Sequence, residues 1–147
     1  MPDNHESFMR LAIDEGKRSI AEGGRAFACV LVRSGAVTAT GHNRVLQDGD
    51  PTAHAEINLV RKYCLETGMT NLEGITMYTN CEPCAMCASA IAWTGVSTVV
   101  FGADRNDGPS NYSRQVNLSC EEVIRRSGKQ IEVIAHVLRE ECAALFH

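Results

Sequence analysis

No uninterrupted apolar run in this chain approaches the roughly 20 residues that a membrane-spanning helix requires, and its first residues carry no apolar core of a secretory signal. A membrane protein is therefore not expected, and the cytoplasm is the compartment the sequence points to. Positive charge is scarce as well: 14 Lys and Arg stand against 18 Asp and Glu, for a formal net charge of -4. A broad phosphate-binding face needs a local excess of cations, so this balance argues against a nucleic-acid partner. Only four prolines occur, and no repeat or low-complexity tract is present. With 147 residues the chain has the length of one domain, 1–147, with a proper core. Cysteine is plentiful by contrast. Seven cannot all pair within one chain, and three of them, Cys81, Cys84 and Cys87, crowd together in a way that suits a metal better than a disulfide framework.

Residues Glu6 to Ala21 predict an amphipathic helix, with Phe8, Met9, Ala12, Ile13 and Ile20 at roughly helical spacing. A hairpin follows, with strands over 26–32 and 36–40 joined at Ser34–Gly35, and then a polar loop from Gly41 to Gly49. A second helix is expected to start at Asp50 with Pro51 as its first residue, or to be capped by Thr52, and to run to about Glu66. Its buried stripe would be Ala53, Ile57, Val60 and Cys64. Ile75 to Thr79 predicts a central strand, about Cys84 to Trp93 a third helix, and Val96 to Phe101 a strong strand. The stretch from Gly102 to Leu118 is polar and aperiodic, which suits a lid or binding loop. A short helix over 119–127, a fifth strand over 131–135 and a terminal helix over 138–146 complete an α/β sandwich.

The chemistry concentrates in His54–Ala55–Glu56 and Pro83–Cys84–Ala85–Met86–Cys87. Cys84 and Cys87 are three apart, so at a helix start they share a face, and the helix N-terminus favours thiolates. His54 and Glu56, two apart, do not share a helix face; both serve one centre only if it sits off the N-terminal end of their helix. Two anionic sulfurs and an imidazole leave one tetrahedral position on zinc for water, and the spare carboxylate of Glu56 is a proton shuttle. The plainer alternatives are a buried or redox thiol pair and a helix-capping histidine. Cys81 precedes the helix and, as a fourth sulfur, would close the site; it is expected not to ligate. Cys29, Cys64, Cys120 and Cys142 suit small core positions.

His54-x-Glu56 followed by Pro83–Cys84-x-x-Cys87 is the signature of the zinc nucleobase deaminases. On this pattern, and on Asp50 to Ile57 with Cys81–Glu82–Pro83–Cys84-x-Met86–Cys87, the chain resembles the cytidine deaminase-like superfamily. The branch is the one holding bacterial guanine deaminases, fungal-type cytosine deaminases and tRNA adenosine deaminases. The resemblance covers roughly residues 6 to 104. It implies a three-layer α/β/α sandwich with a five-stranded mixed sheet, a homodimer or larger assembly, a Zn2+ cofactor and hydrolytic loss of ammonia. It implies that His54, Cys84 and Cys87 hold the zinc and that Glu56 carries a proton to the ring nitrogen and the leaving amine. Asn43 would hydrogen-bond the substrate, the N–H of Ala55 would orient a ring carbonyl or nitrogen, and Phe27 and Trp93 would wall the pocket. For these last residues the plain alternatives are a loop-turn asparagine, a core aromatic and a large apolar helix terminus.

The substrate is less sharply marked. Related guanine deaminases usually read Gly-Pro-Phe-Gly-Ala on the first strand, where this chain has Arg25–Ala26–Phe27–Ala28–Cys29. Asp107–Gly108–Pro109–Ser110–Asn111–Tyr112 replaces their Gly-Phe-Asp-Asp-like segment. Met86 and Ile91–Ala92–Trp93 still lean towards that group. Leu138 to Phe146 resembles the tRNA-editing enzymes, but without their basic tail and with a net charge of -4 an RNA substrate lacks electrostatic support. The expectation is a small free base or nucleoside as partner, guanine first, then a cytosine-type pyrimidine, then tRNA adenosine. The rival outside enzymology is a zinc-stabilised interaction module, which would need a fourth ligand such as Cys81.

Overall fold

Five strands form one mixed sheet in the computed structural model, which describes residues 4–108 and 116–147. β1 (Ala28–Arg33) and β2 (Ala36–His42) make an antiparallel hairpin. Its turn residues Ser34 and Gly35 are both at positive φ, 52° and 78°, as a two-residue turn needs in order to match the twist of its strands. β3 (Ile75–Cys81) lies antiparallel to β1, and β4 (Thr98–Ala103) and β5 (Glu132–Ile134) continue in parallel. The order across the sheet is β2-β1-β3-β4-β5. The helices are α1 (His5–Ala21), α2 (Val45–Asp48), α3 (Ala55–Thr67), α4 (Ala85–Thr94), α5 (Cys120–Ser127) and α6 (Arg139–Ala143).

Successive strand residues point to opposite faces, and here both faces are apolar. Leu31, Met77 and Val99 pack against Leu59 of α3, Ile91 of α4 and Ile124 of α5. Their neighbours Val30, Tyr78 and Val100 meet Met9 and Ile13 of α1 and Cys142 of α6. Parallel strands buried on both sides read as continuous apolar runs, and the result is the expected three-layer α/β/α sandwich. Among the described residues no helix is long and apolar enough to cross a membrane.

Three expectations need correction. α3 does not start at Asp50 or Thr52: the Asp50 carboxylate accepts from the N–H and hydroxyl of Thr52 at 2.8 and 2.7 Å, and the Ala53 carbonyl accepts from the Arg44 N–H. These bonds hold 50–53 as a turn and delay the helix to Ala55. The later start rotates the buried face to Ala55, Leu59 and Tyr63, leaving Ile57, Val60 and Cys64 half-buried; Ala53 is buried but precedes the helix. The polar loop after β2 contains the short helix α2. The terminal helix is broken up, because Leu138 is left-handed (φ 54°) and a 3-10 turn over Ala144–Phe146 follows α6. Beyond β4 a 3-10 turn spans Arg105–Asp107. Residues 109–115, which carry most of the Asp107 to Tyr112 stretch, lie outside the described residues.

The strand register brings several loops to one end of the sheet. Ala28 faces His42, Cys29 faces Thr79, and Cys81 faces Ala103. The segment before β1 and the chain leaving β2, β3 and β4 therefore share the carboxyl end of the two central parallel strands, where open α/β sheets bind their ligands.

Candidate active site

β3 delivers the chain to Cys81, Glu82 and Pro83 cross over, and Cys84 becomes the N-cap of α4 with Cys87 in its first turn. His54 is likewise the N-cap of α3, with extended backbone (φ -71°, ψ 157°) and no side-chain capping bond. Its imidazole turns to the thiols. Nδ1 lies 3.6 Å from Cys84 Sγ and 3.5 Å from Cys87 Sγ, and the three ligand atoms lie within 4.8 Å of one another. Tetrahedral zinc, with Zn–S near 2.3 Å and Zn–N near 2.0–2.1 Å, separates sulfur and nitrogen ligands by about 3.6 Å. The donor set fits that ion in type and in spacing. Cys81 stays out of the cluster. It is buried with its thiol towards the Asp104 carbonyl, so among the described residues no fourth protein ligand closes the site.

The electrostatics follow from crowding acidic groups at two helix N-termini. Cys84 is held down to about 4, first by the hydrogen bond from Cys87 and, against the opposing effect of burial, by His54. Cys87 goes up, because its proton serves Cys84 and because it is buried beside Glu56. The His54 imidazole is shifted up chiefly by its bond to Cys84, with burial and the charge of Arg25 opposing. Glu56, in the first turn of α3, is 6% exposed. Burial, followed by the Cys84 charge, raises its carboxyl to about 7.

Asn43 sits at the end of β2, 2% exposed. Its Oδ1 accepts from the Val45 N–H at 3.0 Å and its own N–H donates to the Phe27 carbonyl at 2.9 Å, which ties α2 and the segment before β1 to this corner. Ala55 is buried as the first residue of α3, where an N–H has no intrahelical acceptor. Phe27 is partly buried, and its ring lies 4.8 Å from that of Phe146. Trp93 is not brought to the site. It lies near the C-terminal end of α4, is 83% exposed, and neighbours Asn71 and Ser97 at the opposite end of the sheet. Cys84 opens that helix and Trp93 nearly closes it, about 13 Å along a helix that rises 1.5 Å per residue.

Three supporting residues escaped the sequence reading. Glu82, buried, accepts from the N–H of Arg105 at 3.1 Å and of Cys120 at 2.9 Å, so one carboxylate joins the turn before Cys84 to the chain after β4 and to α5. Asn80, fully buried, accepts from the Ala28 N–H and donates to the Ala26 carbonyl, fixing the backbone on both sides of Phe27. Asn58 donates to the carbonyls of His42 and Ala53, joining the corner that holds Asn43 to the turn before His54. Polar residues inside apolar runs at the motif's edges were the available signal for Glu82 and Asn80. Asn58 carried none.

A sandwich with this cluster at the carboxyl ends of its strands defines a zinc-dependent deaminase. Residues 2–103 match the cytidine and deoxycytidylate deaminase zinc-binding region, and the chain belongs to that family. It is 40% identical over 105 residues to a guanine deaminase of Bacillus subtilis, covering 71% of this chain and 67% of that one. It is 38% identical over 141 residues to a tRNA-specific adenosine deaminase of the same organism, covering 95% and 84%. Among solved structures, guanine deaminase from Nitrosomonas europaea superimposes with a TM-score of 0.81 at 26% identity, covering 95% of this chain and 81% of that one.

Proposed function

We propose that residues 1–147 act as one cytoplasmic deaminase domain that removes ammonia hydrolytically from a small amino-substituted nucleobase or nucleoside, with guanine the favoured base. The observation that carries the reading is the trio His54, Cys84 and Cys87 at zinc-ligand spacing with the buried Glu56 carboxyl beside it. Zinc held there supplies Lewis acidity and makes water a usable nucleophile near neutral pH. Glu56, a buried carboxyl raised to about 7 in the metal-free chain, is the group placed to take a proton and return it, which is what a shuttle between the attacking water, a ring nitrogen and the departing amine requires. Asn43 has its Oδ1 engaged by Val45, which leaves Nδ2 as the donor for a ring acceptor, and the Ala55 N–H is a second donor. Phe27 packs the ring. Identity to a guanine deaminase over 105 residues supports guanine.

A second reading, tRNA adenosine, draws on the alignment with the tRNA-specific enzyme, which extends over 95% of this chain, against 71% for the guanine deaminase. A homodimer is the proposed assembly. The exposed Trp93 and Leu65 on α4 and α3, 83% and 85% accessible, support it, and light scattering of the zinc-loaded protein tests it. An ammonia-release screen over guanine, cytosine, adenine, isocytosine, their nucleosides and a tRNA anticodon stem-loop tests the substrate. Release from guanine, lost in Glu56→Ala protein that still binds zinc, is the expected result. Activity confined to the stem-loop would overturn the small-molecule reading, and undiminished activity of Glu56→Ala would overturn the mechanism.

A further inference from the structure

β2 is an edge strand, and its last residue, His42, faces Ala28 of β1 on one side and has no strand on the other. The end of such a strand needs other anchors to hold one position. One comes from α3. Gly41 packs so closely on that helix that a Cβ would stand 3.2 Å from the Ala55 carbonyl and 3.0 Å from Leu59 Cβ, and the Asn58 side chain donates to the His42 carbonyl at 2.9 Å. Ala55 and Glu56 open α3 and His54 is its N-cap, so residues 41–43 lie directly against the turn that carries the histidine ligand and the proton shuttle. Asn43 follows His42, with its N–H on the Phe27 carbonyl and its Oδ1 on the Val45 N–H.

The second anchor comes from α1. Glu15 buries its carboxylate there, with one oxygen 2.8 Å from His42 Nδ1 and the other accepting from Arg18, whose own side chain is largely in solvent. A carboxylate only accepts, so Nδ1 carries the proton of that bond. Nε2 is buried and has no hydrogen-bond partner among the described residues, with the Glu22 carboxylate standing 3.8 Å away. Burying a carboxylate is costly, and a pair of apolar side chains commonly packs two elements together at least as stably. Stability therefore does not account for this pair. A hydrogen bond supplies what apolar packing lacks, a fixed direction: it sets the orientation of the imidazole, and with it the backbone from which Asn43 projects.

We propose that Glu15 and His42 are positioning residues for Asn43: their bond locks the end of β2 onto α1 and so aims the Asn43 amide at the ring held beside Glu56. This rests on the deaminase reading and on Asn43 as a substrate contact within it. Neither Glu15 nor His42 touches the substrate, and neither takes part in the bond changes at the amino carbon. Both act through Asn43, on substrate binding more than on turnover.

The test uses the full zinc-loaded chain, with ammonia release measured on guanine, cytosine, adenine and a tRNA anticodon stem-loop and kinetics taken on the compound turned over fastest. His42→Leu leaves Glu15 buried alone and should lower the melting temperature by about 5–10 °C. Glu15→Met with His42→Leu removes both partners, and should regain most of that loss while KM stays raised about tenfold and kcat changes less than about threefold. His42→Asn, which places an amide N–H near the position of Nδ1, should keep KM close to wild type. A KM that recovers together with the melting temperature in the paired variant would overturn the proposal, because the bond would then be structural only. Asn43→Ala should raise KM in wild type and add less than about twofold in the paired variant; an equal rise in both, or none in wild type, would overturn it too. Hydrogen exchange reads the same bond without turnover. The N–H groups of Asn43 and Val45 should exchange about tenfold faster or more in the paired variant than in wild type, and unchanged exchange overturns the positioning whatever the activity. Faster exchange with no ammonia from any compound in wild type keeps the hold on Asn43 and overturns the deaminase reading.

Discussion

Replacing Glu82 by Gln keeps the size of the side chain and swaps one acceptor oxygen for a donor. In the native chain the two oxygens accept from the N–H groups of Arg105 and Cys120 at 3.1 and 2.9 Å, inside a buried pocket. In Glu82→Gln one backbone N–H keeps an oxygen, and the other faces an NH2 group. Bonds to a charged acceptor contribute about 1.5–3 kcal/mol each, and an orphaned buried donor costs about 1–3 kcal/mol. The expected loss is about 2–3 kcal/mol. For a chain of this size that lowers the melting temperature by about 5–10 °C.

Urea unfolding of the metal-free protein reads this without interference from zinc. Glu82→Ala should lose more, about 3–5 kcal/mol, because both donors are orphaned and a hole is left. Since Glu82 is two residues before Cys84, both variants should also bind zinc more weakly. A loss below about 0.5 kcal/mol in Glu82→Gln would refute the argument, and would mean that the turn before Cys84 is held by its own backbone.

Cys84→Ser or Cys87→Ser should each abolish stoichiometric zinc, seen by metal analysis after gel filtration, since either leaves two protein ligands. Zinc binding at pH 7 should release at least the Cys87 proton, because that thiol is shifted up while Cys84 is already ionised near 4; calorimetry in buffers of different ionisation enthalpy counts the protons, and zero would contradict the assignment. Glu56 is raised from 4.5 to about 7 in the folded, metal-free chain, so between those values the folded state binds the extra proton and stability falls as pH rises. Glu56→Gln should remove that fall, leaving metal-free protein more stable than wild type at pH 8 by on the order of 2–3 kcal/mol, and equal stabilities there would disprove it. Gly102→Ala would set a Cβ 2.2 Å from Cys142 Sγ and 2.9 Å from the Val137 carbonyl. It should cost about 1–3 kcal/mol and loosen α6, as hydrogen exchange would report; an unaltered exchange pattern would count against the close packing.

The metal centre was legible because its geometry is local. Cys84 and Cys87 share one helical turn, and their helix start is written in Pro83. His54 needed only a helix N-terminus beside another, which the succession of strands and helices supplies. The sheet was legible for a related reason, since runs such as Ile75 to Thr79 and Val96 to Phe101 are apolar on both faces and fit only the middle of a sandwich. Boundaries failed where a side chain competed with the helix: Asp50 satisfied Thr52 in a turn, and the buried stripe moved to Leu59 and Tyr63. Trp93 failed for the converse reason. Its spacing puts it on α4, but a helix that starts at the catalytic end of the sheet finishes at the other.

The proposed substrate contacts were harder to read because they come from segments far apart in sequence. Phe27 precedes the first strand, Asn43 follows the second, and Phe146 arrives from the last turn, with its ring 4.8 Å from Phe27. No periodicity links them; only the register of β1 against β2 and β3 gathers the first two. The metal cluster is therefore compact in sequence, whereas the proposed substrate wall is assembled from segments far apart. Substitutions in that proposed wall would alter the substrate without touching His54, Glu56, Cys84 or Cys87.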